Sequence, residues 1–257
     1  MILQVRDLRV AFGKQVVAHV PELDLEAGHV LGIAGESGSG KSQTALALMG
    51  LTRYSGGSVS GTIALGGRDL TTLTRRQWRE VRGREIAMIL QSPRAALNPT
   101  MKLGSLFERT LKLHGVARAD RRKRMEQSLS EVILDSAILD RYPHQVSGGQ
   151  AQRFAIALVA ALQVKVLIAD EPTSALDVTV QSEVIEVLRG LRERHNTAIV
   201  FISHDLAVLS ELADHLMIMR NGSVVEQGAT EAVIHNSQED YTRDLIAAVP
   251  SIRGRAS

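Results

Sequence analysis

Residues 35–42 read GESGSGKS, a G-x-x-x-x-G-K-S string set between an apolar run at 29–34 and a helix-forming run at 43–49. Gly35, Gly38 and Gly40 open backbone angles closed to other residues, so that successive main-chain N–H groups can converge on a phosphate. The helix behind them adds the positive end of its dipole. Lys41 is then placed to reach the outer phosphates of a nucleotide, and the Ser42 hydroxyl to hold a magnesium ion. A Gly/Ser-rich surface loop would have the same composition, so the assignment depends on what else the chain holds.

Three further groups have compatible chemistry. Residues 166–172, VLIADEP, form an apolar strand ending in adjacent carboxylates. There Asp170 can orient a metal, directly or through water, and Glu171 can polarise an attacking water. Ser147, Gly148, Gly149 and Gln150 join a good N-cap to two glycines that bare the backbone at a helix start, a second anion-binding terminus. Gln91 and His204 each stand at the carboxyl end of a predicted buried strand, 86–90 and 198–203, where the ligand crevice of an open parallel sheet lies. The bland alternatives are surface carboxylates, a plain cap and a structural histidine. Their joint occurrence with the phosphate loop argues against them.

The elements that must position these residues are an α/β set. Partial alternation over 2–10 and again over 23–26 predicts two antiparallel strands ahead of the phosphate-loop strand. Spaced glycines with Val59, Thr62 and Ile63 predict a hairpin within 54–67, and 75–82 is a polar helix. From 98 to 142 strand signals give way to helical spacing, at Leu103, Leu106, Phe107 and Leu111 and then Met125, Leu129, Val132 and Ile133. Residues 93–154 are therefore expected as a helical insertion in a core formed by 1–92 and 155–257. A helix over 180–192, a hairpin turning at Asn221-Gly222, and a helix from Thr230 before a polar, frayed end complete the pattern.

Composition sets limits. Thirty Lys and Arg against 28 Asp and Glu leave a formal charge of +2, no basic field for nucleic acid. The basic run 118–124 lacks interleaved aromatics and reads as a solvated helix face. With no cysteine in the sequence, disulfides, cysteine-ligated clusters and a thiol nucleophile are excluded. The eight histidines include no pair at helical ligand spacing, so no transition metal is assigned to the chain. The longest apolar stretch, 154–162, is too short to span a bilayer, and the first residues lack an apolar segment behind a basic one. A soluble, cytoplasmic protein without a signal peptide is expected.

Phe12, GESGSGKS, Gln91, SGGQ at 147–150, VLIADEP, SALD at 174–177 and His204 stand in the order and approximate spacing of the ATP-binding cassette ATPases, which the chain resembles over nearly its whole length. The resemblance implies a P-loop NTPase core, a mixed sheet flanked by helices, with the helical subdomain inserted. Its cofactors would be ATP and Mg2+. Two subunits would pair head to tail, with ATP between Lys41 of one and the signature Ser147, Gly148, Gly149 and Gln150 of the other. Nucleotide contacts are implied for Phe12, Gly35, Glu36, Ser37, Gly38, Ser39, Gly40, Lys41, Ser42 and Gln43, with Phe12 stacking on adenine where a plain core role is the alternative. Magnesium falls to Ser42, Gln91 and Asp170, activation of water to Glu171, and sensing of the γ-phosphate to His204. Ser174 and Asp177 fall in a loop crossing the dimer interface. The implied partners are a second, identical or homologous ATPase subunit, two integral-membrane permease subunits and an external substrate-binding protein, with no nucleic acid. The implied location is the cytoplasmic face of a bacterial inner membrane.

A finer resemblance concerns cargo. Strings at 91–99 (QSPRAALNP), 142–145 (YPHQ), 176–181 (LDVTVQ) and 241–250 (YTRDLIAAVP) look like the peptide/nickel branch of bacterial importers. The short length, the QSPRAALNP string and the lack of a longer cysteine-containing tail are most similar to nickel-import ATPases. Nickel or a nickel chelate is thus the expected cargo, and di- or oligopeptides or another metal–metallophore complex the alternative. A soluble cassette ATPase acting on nucleic acid or ribosomes is a third reading, opposed by the single cassette and the missing zinc-binding cysteines. One position departs from the pattern: Ala151 follows SGGQ where peptide importers usually have arginine. The phosphate is met by the backbone of that helix, so activity is expected to survive.

Overall fold

The computed structural model describes residues 1–174 and 176–249. Ala175 of the expected interface loop, Pro250 and the expected frayed end lie outside the described residues. Strands β1 Leu3–Phe12, β2 Gln15–Leu25, β3 Val30–Ala34, β4 Ser58–Leu65, β5 Arg68–Asp69, β6 Ile86–Ile89, β7 Val166–Asp170, β8 Ala198–Ile202, β9 His215–Arg220 and β10 Ser223–Ala229 form one sheet, in the order β5-β4-β1-β2-β10-β9-β3-β8-β7-β6. Pairing is parallel from β9 through β3, β8 and β7 to β6, and antiparallel in β1 with β2 and β4 and in β9 with β10. Every residue of β3, β7 and β8 is buried, which is why these strands read as unbroken apolar runs. Alternate residues of β8 enter two separate apolar clusters, Val200 and Ile202 in one with Leu48 and Trp78, Ile199 and Phe201 in the other with Phe107 and Phe154.

The hairpin expected within residues 54–67 forms with shifted bounds, β4 pairing antiparallel with β5. Thr52–Ser55 is a 3-10 turn, and a single strand, β4, runs through Gly61. A Cβ on Gly61 would stand 2.2 Å from the Asp7 carbonyl oxygen, opposite a register shift in β1 between Arg6 and Arg9. That glycine therefore marks a bulge and close backbone approach, and the chain turns later, at Gly66 and Gly67, into the short β5.

The helices are α1 Lys41–Leu48, α2 Arg75–Val81, α3 Pro93–Ala96, α4 Leu103–Leu113, α5 Arg118–Glu131, α6 Gly148–Leu162, α7 Val178–His195, α8 Leu206–Leu212, α9 Thr230–Asn236 and α10 Asp240–Ala247. Helices α3 to α6 fill the interval between β6 and β7. The buried face of α4, Leu103, Phe107 and Leu111, packs on α6, where Phe107 and Phe154 meet edge to face at 5.6 Å. Such a pair contributes about 0.5–1.5 kcal/mol beyond its buried area. We propose the division at 92/93 and 154/155 as one of function, since α6 runs across the second boundary and these helices share an apolar cluster with β7 and β8. Among the described residues no helix is long and apolar enough to cross a membrane.

Candidate active site

The phosphate loop joins β3 to α1 and is shaped by its neighbours. Gly35 has φ 147°, and a Cβ there would lie 2.1 Å from the Met219 carbonyl oxygen at the end of β9. Gly40 has φ 103°, with the Val17 carbonyl of β2 at 2.8 Å from its missing Cβ. These two glycines are required by the strands beneath the loop. The Gly222 N–H, in the turn after β9, donates to the Ser39 carbonyl at 3.1 Å. Lys41 is 5% exposed, and its Nζ donates to the Gly35 carbonyl at 2.7 Å, the Glu36 carbonyl at 2.8 Å and Ser39 Oγ at 3.3 Å. Burial pushes its ammonium below the ordinary 10.5, against the pull of Glu171, Asp170 and Glu36.

β7 ends on Asp170, 8% exposed, whose Oδ1 accepts from the Ser42 hydroxyl at 3.2 Å. Burial raises the Asp170 carboxyl above 3.8 and the neighbouring Glu171 adds to this, while Ser42 and Lys41 act the other way. Glu171 follows with φ 47°, a left-handed backbone uncommon outside glycine. Its N–H donates to the Ile202 carbonyl at 2.9 Å, and Ser174 Oγ donates to its carbonyl at 2.9 Å. Gln91 Nε2 donates to one carboxylate oxygen of Glu171 at 2.8 Å, and His204 Nδ1 lies 3.5 Å from the other. Ser42, Asp170, Glu171, Gln91 and His204, predicted from separate stretches, are thus brought together, with Lys41 close enough to act on both carboxylates.

The donor set suits magnesium. A hydroxyl and a buried carboxylate face one another, both hard oxygen donors, and a carboxylate kept from water is relieved by a cation. Among the described residues no group of three or more His, Cys, Asp or Glu gathers as a metal site, so phosphate and water oxygens would complete the shell.

The signature stands apart from this cluster. Ser147 caps α6 through a capping box: its Oγ accepts from the Gln150 N–H at 3.1 Å, and Gln150 Oε1 accepts from the Ser147 N–H at 3.0 Å. The two glycines differ. A Cβ on Gly149 would stand 2.5 Å from Val180 Cγ1 of α7, whereas one on Gly148 would meet only Leu176 Cδ2, at 3.6 Å. Ala151 is fully buried. Among the described residues no hydrogen bond links 147–150 to the phosphate loop. Asp177 Oδ1 accepts from the Val180 N–H at 3.0 Å and caps α7. Phe12, at the end of β1, is half-buried against one apolar cluster and lies over Gly57, which gives it a packing role. Glu36 and Ser37 are exposed, and the buried Gln43 Oε1 has no hydrogen-bond partner.

The model of the ABC transporter family matches residues 19–174. This chain belongs to the ABC transporter family. The dipeptide transport ATP-binding protein of Lactococcus lactis subsp. cremoris is 40% identical to this cassette, over 98% of it and 74% of that protein. The glutathione import ATP-binding protein of Escherichia coli K12 is 40% identical over 98% of the cassette and 42% of its own length, so the chain spans under half of that relative. A putative peptide import ATP-binding protein of Brucella abortus is 44% identical over 86% and 68% respectively. Among solved structures, a dimeric ATP-binding cassette in a post-hydrolysis state bound to ADP and Pi superposes with TM-score 0.77 at 23% identity, over 89% of this chain and 98% of that one. The ATP binding subunit of an ABC transporter does so with TM-score 0.79 at 22% identity, over 96% and 98%. Both show that the fold is that of the cassette.

The names of these three relatives give dipeptide, glutathione and peptide; none of the three gives nickel, the cargo expected above. The sequence reading also missed how the cassette holds its phosphate loop. Met219 and Gly222 follow Gly35 by some 180 positions, and their only local signal is the Asn-Gly turn.

Proposed function

We propose that this cassette hydrolyses ATP to energise import of small peptides through a membrane permease, working from the cytoplasmic face of the inner membrane with a second cassette and an external binding protein. The observation that supports it best is the convergence of Gln91 and His204 on the two carboxylate oxygens of Glu171, beside the Ser42–Asp170 pair.

Lys41, turned toward loop carbonyls in this structure, exchanges them for phosphate oxygens when nucleotide enters, because a buried ammonium gains more from an anion than from a peptide dipole. Ser42 and Asp170 would hold Mg2+, which supplies neutralisation of the charge that develops on the transferring phosphoryl group. Glu171, with its backbone fixed by Ile202 and Ser174, accepts the proton of the attacking water. Gln91 and His204 orient that carboxylate, and His204, 62% exposed at its side chain, is free to turn to the γ-phosphate. The capped start of α6 serves the nucleotide of the opposing cassette, with Ser174 and Asp177 at the boundary. Closure of the pair excludes water and builds a preorganised electrostatic site; loss of the γ-phosphate releases it.

The peptide cargo is supported by the names of the relatives, and nickel by the string at 91–99. The test is uptake of a labelled dipeptide and of labelled nickel in cells lacking the native copy, complemented by the wild-type chain or by Glu171→Gln. Dipeptide uptake restored only by the wild type is expected. Nickel uptake restored in its place would return the cassette to the nickel importers.

A further inference from the structure

The carboxy-terminal part of the chain touches the phosphate loop with one side chain as well as with backbone. Tyr241, in the first turn of α10, accepts a hydrogen bond on its hydroxyl oxygen from the Glu36 N–H at 3.1 Å. The residue is 8% exposed, and the Arg220 guanidinium at the end of β9 lies 4.6 Å from its ring centroid, a cation–π contact that seats the ring. The Gly35 carbonyl belongs to the same peptide unit as the Glu36 N–H, and that carbonyl accepts from Lys41 Nζ at 2.7 Å. One peptide plane is therefore held at both ends, by Tyr241 on its N–H and by Lys41 on its C=O.

We propose that Tyr241 is a positioning residue of the nucleotide site, fixing the Gly35–Glu36 peptide and through it the resting place of the Lys41 ammonium. A peptide is planar, so an acceptor on its N–H sets the direction of its C=O. Gly35, with no side chain and φ 147°, gives that plane a freedom to rotate that the hydroxyl removes. The hydrogen bond turns this N–H to α10, and a loop already ordered loses less freedom when phosphate arrives. The nucleotide part of this inference rests on the ATP-binding reading above; the backbone part does not.

The test is Tyr241→Phe in the full chain, which removes one oxygen and keeps the ring under Arg220. In the nucleotide-free protein the Glu36 amide should exchange with solvent about fivefold faster while the β3 amides keep their protection. ATP affinity measured without magnesium should fall about fivefold with the thermal midpoint unchanged, and in the assembled transporter KM for ATP should rise while kcat holds. Tyr241→Ala should weaken ATP equally and also lower the thermal midpoint. Unchanged Glu36 exchange, or ATP bound equally by wild type and Tyr241→Phe, overturns the inference alone. A wild-type chain that binds no ATP overturns the nucleotide reading as well, even where the Glu36 amide behaves as expected.

Discussion

Asp170 is a carboxylate brought into the interior as the last residue of a fully buried strand, and burial, with the neighbouring Glu171, raises its pKa above the ordinary value. Stability from such a group is present at low pH and lost as pH rises through its folded pKa, because the native state holds the proton more tightly than the unfolded chain. Asp170→Asn should therefore stabilise the nucleotide-free protein at neutral pH by about 1 kcal/mol, the usual gain from removing a functional conflict, and abolish magnesium-dependent hydrolysis. Urea unfolding with and without the substitution checks this, and the advantage should shrink as pH falls toward 3.8, the carboxyl's ordinary value. At this scale most of the site was legible in the sequence. Phosphate chemistry restricts residue types severely, and Lys41, Ser42, Gln91, Asp170, Glu171 and His204 each stand at the end of a strand or the start of a helix. Tyr241 was not legible as part of the site, because a tyrosine at a helix start has no type-specific reason to reach a loop some two hundred positions earlier.

Among the elements, α6 joins a nucleotide role to a packing role, and its two glycines separate them. Gly149 permits contact with Val180 of α7, so Gly149→Ala should drive the helices apart and destabilise the protein by about 1–3 kcal/mol. Gly148 is exposed and a Cβ there would meet only Leu176, at an ordinary contact distance, so Gly148→Ala should keep the thermal midpoint while reducing ATP hydrolysis. Thermal unfolding and turnover measured on the same preparations distinguish the two. The sequence pattern made the cap and the helix legible, since SGGQ before an apolar run satisfies a capping box. It did not tell which glycine was there for packing, which depends on a helix about thirty residues further on. The bounds of the hairpin expected at 54–67 shifted for a related reason: a glycine at a bulge and a glycine at a turn look alike until the paired strand is known. The first half of β2 escaped the reading because its buried positions, Ala18 and Val20, are out of phase with Leu23 and Leu25, the phase changing at Pro21 and Glu22 opposite the left-handed Asp7 of β1.

For the whole molecule, the sequence carried the α/β class and the interval of helices, but not the order of strands. The placement of β9 and β10 between the antiparallel strands and β3 is a product of long-range pairing, with β10 meeting β2 at a single pair, Ser223 and His19. That placement brings the Asn221-Gly222 turn and α10 against the phosphate loop and makes the last third of the chain part of the site. The proposed function requires that this assembled site hydrolyse ATP with Glu171 as the base. Its most direct test is steady-state Mg-ATP hydrolysis together with ATP binding, for the wild type and Glu171→Gln in the same assembled transporter. Binding should be preserved and turnover lowered at least about a hundredfold, the span that a general base supplies. Near wild-type hydrolysis by Glu171→Gln would contradict it.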